Sequence, residues 1–171
     1  MPDEKLKLKK FKALSAGLTG LSMMQLSPNV DPIGLAQQYW DTLQESLDER
    51  LRADVDAMLE EVKPNSKDDA NKPAEPADEN TIGKILANDR FAPLARSILK
   101  LWILGAFYHP RTPQTPTKIV SSQAYKESLV WKTMQGHPMG YSMLPYGHWS
   151  EEPLPLNAFL ALVPSTEAKH G

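Results

Sequence analysis

The residues of this chain best suited to acid–base or metal chemistry are its four histidines, His109, His137, His148 and His170. A helix-borne zinc site needs two ligands one turn apart, as in HxxxH or HExxH, or a pair of cysteines. Neither histidine pattern occurs, and the chain has no cysteine. Disulfides, thiolate metal sites, iron–sulfur ligation and cysteine nucleophiles are thereby excluded within it. Ser142 lies between His137 and His148 in sequence, a proximity that says nothing about geometry. The strained GxSxG turn that would expose such a serine is absent, as are the GxGxxG and GxxxxGKS phosphate cradles. The acid pairs at 60–61 and 151–152 sit among polar residues, and a solvated carboxyl gains none of the raised pKa that a general acid needs. The expectation is therefore no catalytic, cofactor-binding or metal site, with the histidines serving loop hydrogen bonds or the surface.

Stepping outward to charge, a formal net charge of −2 gives no electrostatic reason to expect nucleic acid as a partner. No stretch approaches the ~20 apolar residues that span a bilayer. The opening MPDEKLKLKKFKALSAGLTG has lysines before a mildly apolar stretch, but Lys12 interrupts it and Asp3 and Glu4 precede it, so it does not read as an export signal.

The elements that would carry any function are helical. Leu6, Phe11, Leu14 and Leu18 recur at roughly helical spacing, with Gly17 and Gly20 placed to close that helix. Asp31-Pro32 reads as an N-cap and first position of a long amphipathic helix. Its stripe runs Ile33, Ala36, Trp40, Leu43, Leu47, Leu51, Val55, Met58 and Val62. Residues 63–80 hold three prolines and many charges, and predict a flexible linker that cannot bury enough to offset its ordering entropy. A short helix is expected over 81–88, and one apolar on most faces over 91–107, with Gly105 admitting another backbone at its end. An extended connector over 109–118 and a last helix over 122–134 follow. From Gly136 the chain is rich in aromatics, proline and glycine. The fold class is all-α: one helical domain over 1–171, interrupted at 63–80 and ending in an irregular aromatic segment.

Aromatic residues exceed what such a small core requires. Core packing accounts for most of them, including Trp131. Trp102, Tyr108, Tyr141, Tyr146 and Trp149 are candidates for a partner interface, because Trp and Tyr anchor interfaces at low entropic cost.

The order of segments carries a resemblance. FKALSAGLTG (11–20), PIGLAQQY (32–39), ARSILKLWILGAFY (95–108), ESLVWKTM (127–134) and GHPMGYSMLPYGHWSEEP (136–153) follow one another as in a known family. The chain resembles the small subunit of bacterial membrane-associated FAD-dependent sugar and polyol dehydrogenases of the sorbitol, fructose and glucose dehydrogenase type. That resemblance implies a non-catalytic chaperone subunit. It would assist folding, cofactor loading and export of a large oxidoreductase subunit of the glucose–methanol–choline (GMC) family. FAD, and in some complexes an iron–sulfur cluster, would reside in that partner, and a multihaem cytochrome c subunit would take the electrons. It further implies a periplasmic, membrane-associated complex. The twin-arginine signal that begins many such subunits has no counterpart before Phe11, which makes the cytoplasm the alternative. The competing expectation is a stand-alone helical protein-binding or scaffold module; a small enzyme using His137 or His148 with Ser142 is a third.

Overall fold

The computed structural model describes residues 2–26, 33–63 and 75–134, all within one compact unit spanning Met1–Pro138. The described residues form eight α-helices and one two-stranded sheet, so the protein is mainly helical. Among them no helix is long and apolar enough to cross a membrane. The linker residues 64–74 and the aromatic segment from 135 onward lie outside the described residues.

Helix α1 (Pro2–Thr19) is the hub. It packs against α2 (Met23–Leu26), α3 (Leu35–Ser46), α4 (Glu49–Glu61), α5 (Glu79–Ala87) and α6 (Ala92–Leu104). Its sequence explains why a lysine-rich helix can sit at the centre. Ala13, Ser15, Ala16 and Gly17 are small enough to let neighbours approach, and Phe11 and Leu14 are fully buried. The lysines are confined to its first three turns, where Lys7 meets Asp56 at 2.9 Å and Lys10 meets Glu60 at 2.8 Å. Gly17 does not end the helix as its sequence position suggests. A Cβ there would lie 2.7 Å from the Ala77 carbonyl oxygen, so glycine is needed for close approach. The Ala77 N–H also donates to the Ala13 carbonyl at 2.9 Å, which lays residues 75–78 along α1.

The long helix expected from Asp31 to Val62 is two helices. Its anticipated start lies outside the described residues, and α3 begins after Gly34 with no side-chain cap. The stripe then continues straight through a break. Leu47 is extended (φ −102°, ψ 144°) yet buried, and Asp48 caps α4 by accepting from the Leu51 N–H at 2.8 Å. That N–H, then Arg111, holds the Asp48 carboxyl below its usual range. Leu43, Leu47 and Leu51 are four apart, so apolar periodicity alone could not reveal the interruption; Asp48 followed by Glu49 was the readable signal.

The linker boundary also moves. Asp78 caps α5 by accepting from the Thr81 N–H at 2.9 Å, so Glu79 and Asn80 belong to a helix and not to the connector. Helix α6 is shorter than the expected 91–107 because Gly105 (φ 67°) stops it in the left-handed conformation. Gly105 does admit another backbone, since a Cβ would lie 2.6 Å from the Ala124 carbonyl oxygen. Beyond it, β1 (Ala106–Phe107) pairs antiparallel with β2 (Lys118–Ile119) in the register Ala106↔Ile119 and Phe107↔Lys118. The expected extended connector is therefore a turn-rich loop closed by this short ladder. The final helix is likewise split, into α7 (Ser122–Glu127) and α8 (Leu129–Thr133), by Ser128 (φ −59°, ψ 143°), whose hydroxyl donates back to the Tyr125 carbonyl.

The core is a single cluster in which rings meet at angles. Phe11 packs on Trp40 at 5.4 Å between centroids, and Tyr39 meets Trp102 edge-on at 4.8 Å. Such tilted pairs are the arrangement that ring quadrupoles favour.

Candidate functional site: an apolar groove beside the central helix

The described residues form an open groove of about 700 Å3. It is lined by Leu18 and Thr19 of α1, Leu21, Gln25 of α2, Leu99 and Ile103 of α6, and Leu129 and Thr133 of α8. None of these side chains is charged.

Each wall has a local cause. Helix α1 stops because Gly20 adopts φ 69°, and the Thr19 hydroxyl donates to the Ser15 carbonyl at 2.8 Å. The chain reverses immediately into α2 through a capping box. The Ser22 N–H donates to Gln25 Oε1 at 2.9 Å, while Ser22 Oγ accepts from the Gln25 N–H at 3.3 Å. That Ser-x-x-Gln signature is legible in the sequence. On α6, Leu94, Ile98 and Leu101 face the core, while Leu99 and Ile103, one turn apart, are left for the groove. A helix apolar on most faces thus serves two surfaces. The fourth wall is set by the Ser128 break, and α7 and α8 are locked together where the Trp131 indole N–H donates to the Tyr125 carbonyl at 2.9 Å. The same elements carry two large apolar side chains in water: Met24 is 68% exposed and Met134 69%. Flexible thioethers of this kind adapt to a partner surface.

Chemically the groove offers apolar area and a Thr19 hydroxyl already given to the Ser15 carbonyl. It presents no nucleophile paired with a base. Among the described residues no group of histidine and carboxylate side chains is placed to hold a metal ion. His109 acts in its loop: Nδ1 accepts from the Arg111 N–H at 3.2 Å, and its carbonyl accepts from the Thr112 N–H at 2.9 Å. His137, His148, His170 and Ser142 lie outside the described residues.

The aromatic interface candidates divide. Trp102 is 2% exposed, packed on Tyr39, and belongs to the core and not to an outer face. The correction has a simple cause: Trp102 follows Ile98 by four positions and shares its inward face, whereas the outward apolar positions of α6 are occupied by Leu99 and Ile103. Tyr108 is half-buried just after β1, with the Lys100 ammonium 4.5 Å above its ring, and does not line the groove. Tyr141, Tyr146 and Trp149 lie outside the described residues.

No family model, curated protein or solved structure matches this chain.

Proposed function

We propose that this chain is the non-catalytic small subunit of a flavin-dependent sugar or alcohol dehydrogenase complex, and that its apolar groove is where the large FAD-containing subunit docks. The observation that carries this reading is where the resembling segments meet. Every lining position except Leu21 and Gln25 comes from 11–20, 95–108 or 127–134, three of the segments that resemble the dehydrogenase small subunits. Segments far apart in sequence converge on one uncharged, open surface, which is the character of a docking site and not of a catalytic one. In this reading the partner holds FAD and any iron–sulfur cluster, and passes electrons to a cytochrome. This chain covers an apolar face of the partner while it folds and takes up flavin. A periplasmic, membrane-associated location belongs to the same proposal.

The test is co-expression of a flavoprotein of the GMC family from the same genome, with and without this chain. Soluble, flavin-loaded, active flavoprotein is expected only when the small chain is present. Leu18→Asp with Ile103→Asp should abolish co-purification while leaving the small chain helical by circular dichroism. A flavoprotein equally soluble, flavin-loaded and active alone overturns the proposal.

A further inference from the structure

Residues 91–126 contain no aspartate or glutamate, yet they include Arg96, Lys100, Arg111, Lys118 and Lys126. The fold neutralises part of this charge. Arg111 pairs with Asp48 at 2.8 Å and Lys118 with Glu45 at 2.8 Å, and Lys126 is engaged as well. Arg96 and Lys100 remain, and neither forms an ion pair with a carboxylate of the described residues. Four residues apart on α6, they stand one above the other, a repulsive arrangement when left uncompensated.

Both line a cleft of about 170 Å3 whose other walls are Pro93, Ser97, Pro110 and Pro113. The prolines are rigid and bring no N–H groups, and the Ser97 hydroxyl is donated to the Pro93 carbonyl at 3.1 Å. The two cations are therefore the principal donors offered to a guest. Lys100 is already positioned: its ammonium donates to the Pro113 carbonyl at 2.6 Å and sits 4.5 Å from the Tyr108 ring centre. Both contacts are to uncharged groups, so the positive charge stays available, and a lysine has three N–H donors of which the carbonyl takes one. Arg96 is exposed, and its planar fork suits two oxygens of one anion.

We infer that this cleft between α6 and the 109–117 loop is a binding site for a small oxyanion, a carboxylate or phosphate group. An anion between Arg96 and Lys100 replaces their repulsion with charge-assisted hydrogen bonds. The volume is below the ~300 Å3 at which pockets for drug-sized molecules begin, so the site takes a compact head group and excludes a nucleotide or an aromatic acid. It shares no lining residue with the apolar groove, and the inference does not rest on the docking reading.

The experiment titrates inorganic phosphate, and separately acetate, into the full 15N-labelled chain at ionic strength held constant with chloride. Saturable amide shifts confined to Arg96, Lys100 and the 109–117 loop are expected. Saturation by phosphate alone, acetate alone or both assigns the head group. The R96Q/K100Q variant should weaken the apparent affinity at least tenfold at unchanged melting temperature, and exposed Arg96→Gln alone should weaken it severalfold. Shifts that do not saturate, that are as large at Lys5 on α1, or that persist unchanged in both variants overturn the inference.

Discussion

Along the N-terminal half of α1 the molecule is closed by charge over a buried apolar interior. Lys7 and Lys10 reach Asp56 and Glu60 of α4 above the fully buried Phe11 and Leu14. One turn beyond Leu14 the same helix face is open: Leu18 and Thr19 are walls of a groove with no charged lining. Leu14 and Leu18 are the same residue type four positions apart, and they differ only in what stands opposite. At the closed end, α4 supplies both a stripe of apolar residues and the carboxylates that seal its edge. At the open end α2 and α8 are four and five residues long, too short to cover what α1 and α6 present. The docking surface proposed above therefore lies where the helices run out.

The comparison can be broken by paired truncation. Leu14→Ala should cost about 2–5 kcal/mol in urea unfolding, as fully buried leucines do, while half-buried Leu18→Ala should cost about 1 kcal/mol or less. Equal losses would mean that the groove wall is as closed as the core. Between them, Gly17→Ala tests how tightly residues 75–78 lie on α1. The collision with the Ala77 carbonyl should outweigh the ~1 kcal/mol of helix propensity that alanine brings, for a net loss of about 1–2 kcal/mol.

A smaller effect is expected on the charged side. Arg90 pairs with Asp54, whose side chain is only 9% exposed while that of Arg90 is 57% exposed. Arg90→Ala leaves a mostly buried carboxylate without its cation and should cost about 1 kcal/mol, screened by solvent on the arginine side. A loss of 3 kcal/mol or more would show that α4 and the α5–α6 turn are joined mainly by charge.

The smallest effect at neutral pH belongs to Tyr39. Its hydroxyl is buried without a hydrogen-bond partner among the described residues, and burial, then Glu127, raises its pKa well above the ordinary phenol value. Tyr39→Phe should change stability at pH 7 by less than about 0.5 kcal/mol, because the lost hydroxyl had no partner to leave behind. The difference widens in alkali. The unfolded phenol ionises near its ordinary value of 10.0 while the folded one resists, so the parent chain loses stability as pH rises above that value and the phenylalanine variant is spared the loss. Melting curves from pH 7 to 11 decide it, and parallel declines in both chains would refute the assignment.

Much of this arrangement was readable in the residues, and what escaped did so for identifiable reasons. The helical class, the burial of Phe11 and Leu14, and the close approach at Gly105 follow from apolar spacing and one missing Cβ. The breaks at Leu47–Asp48 and Ser128 were hidden because a four-residue apolar rhythm passes through an extended residue that stays buried. The short ladder of Ala106–Phe107 with Lys118–Ile119 leaves no alternation long enough to detect. The groove was hardest to see. Its walls come from three separate stretches of sequence, and Trp102, the aromatic residue that draws the eye on α6, is needed inside. Ser22 and Gln25 were the one local signal that would have placed α2, and with it the groove's edge.

The way Ala77 lies on α1 has a practical consequence for anyone wishing to engineer this protein. Val62 is buried at the end of α4, and Ala77 is bonded to Ala13, so both margins of the intervening stretch are anchored by contacts of their own. Loop entropy grows only logarithmically, by about 0.6 kcal/mol for each doubling in length. A fluorescent reporter, a protease site or an affinity tag spliced between residues 64 and 74 should thus be carried without loosening the helices on either side.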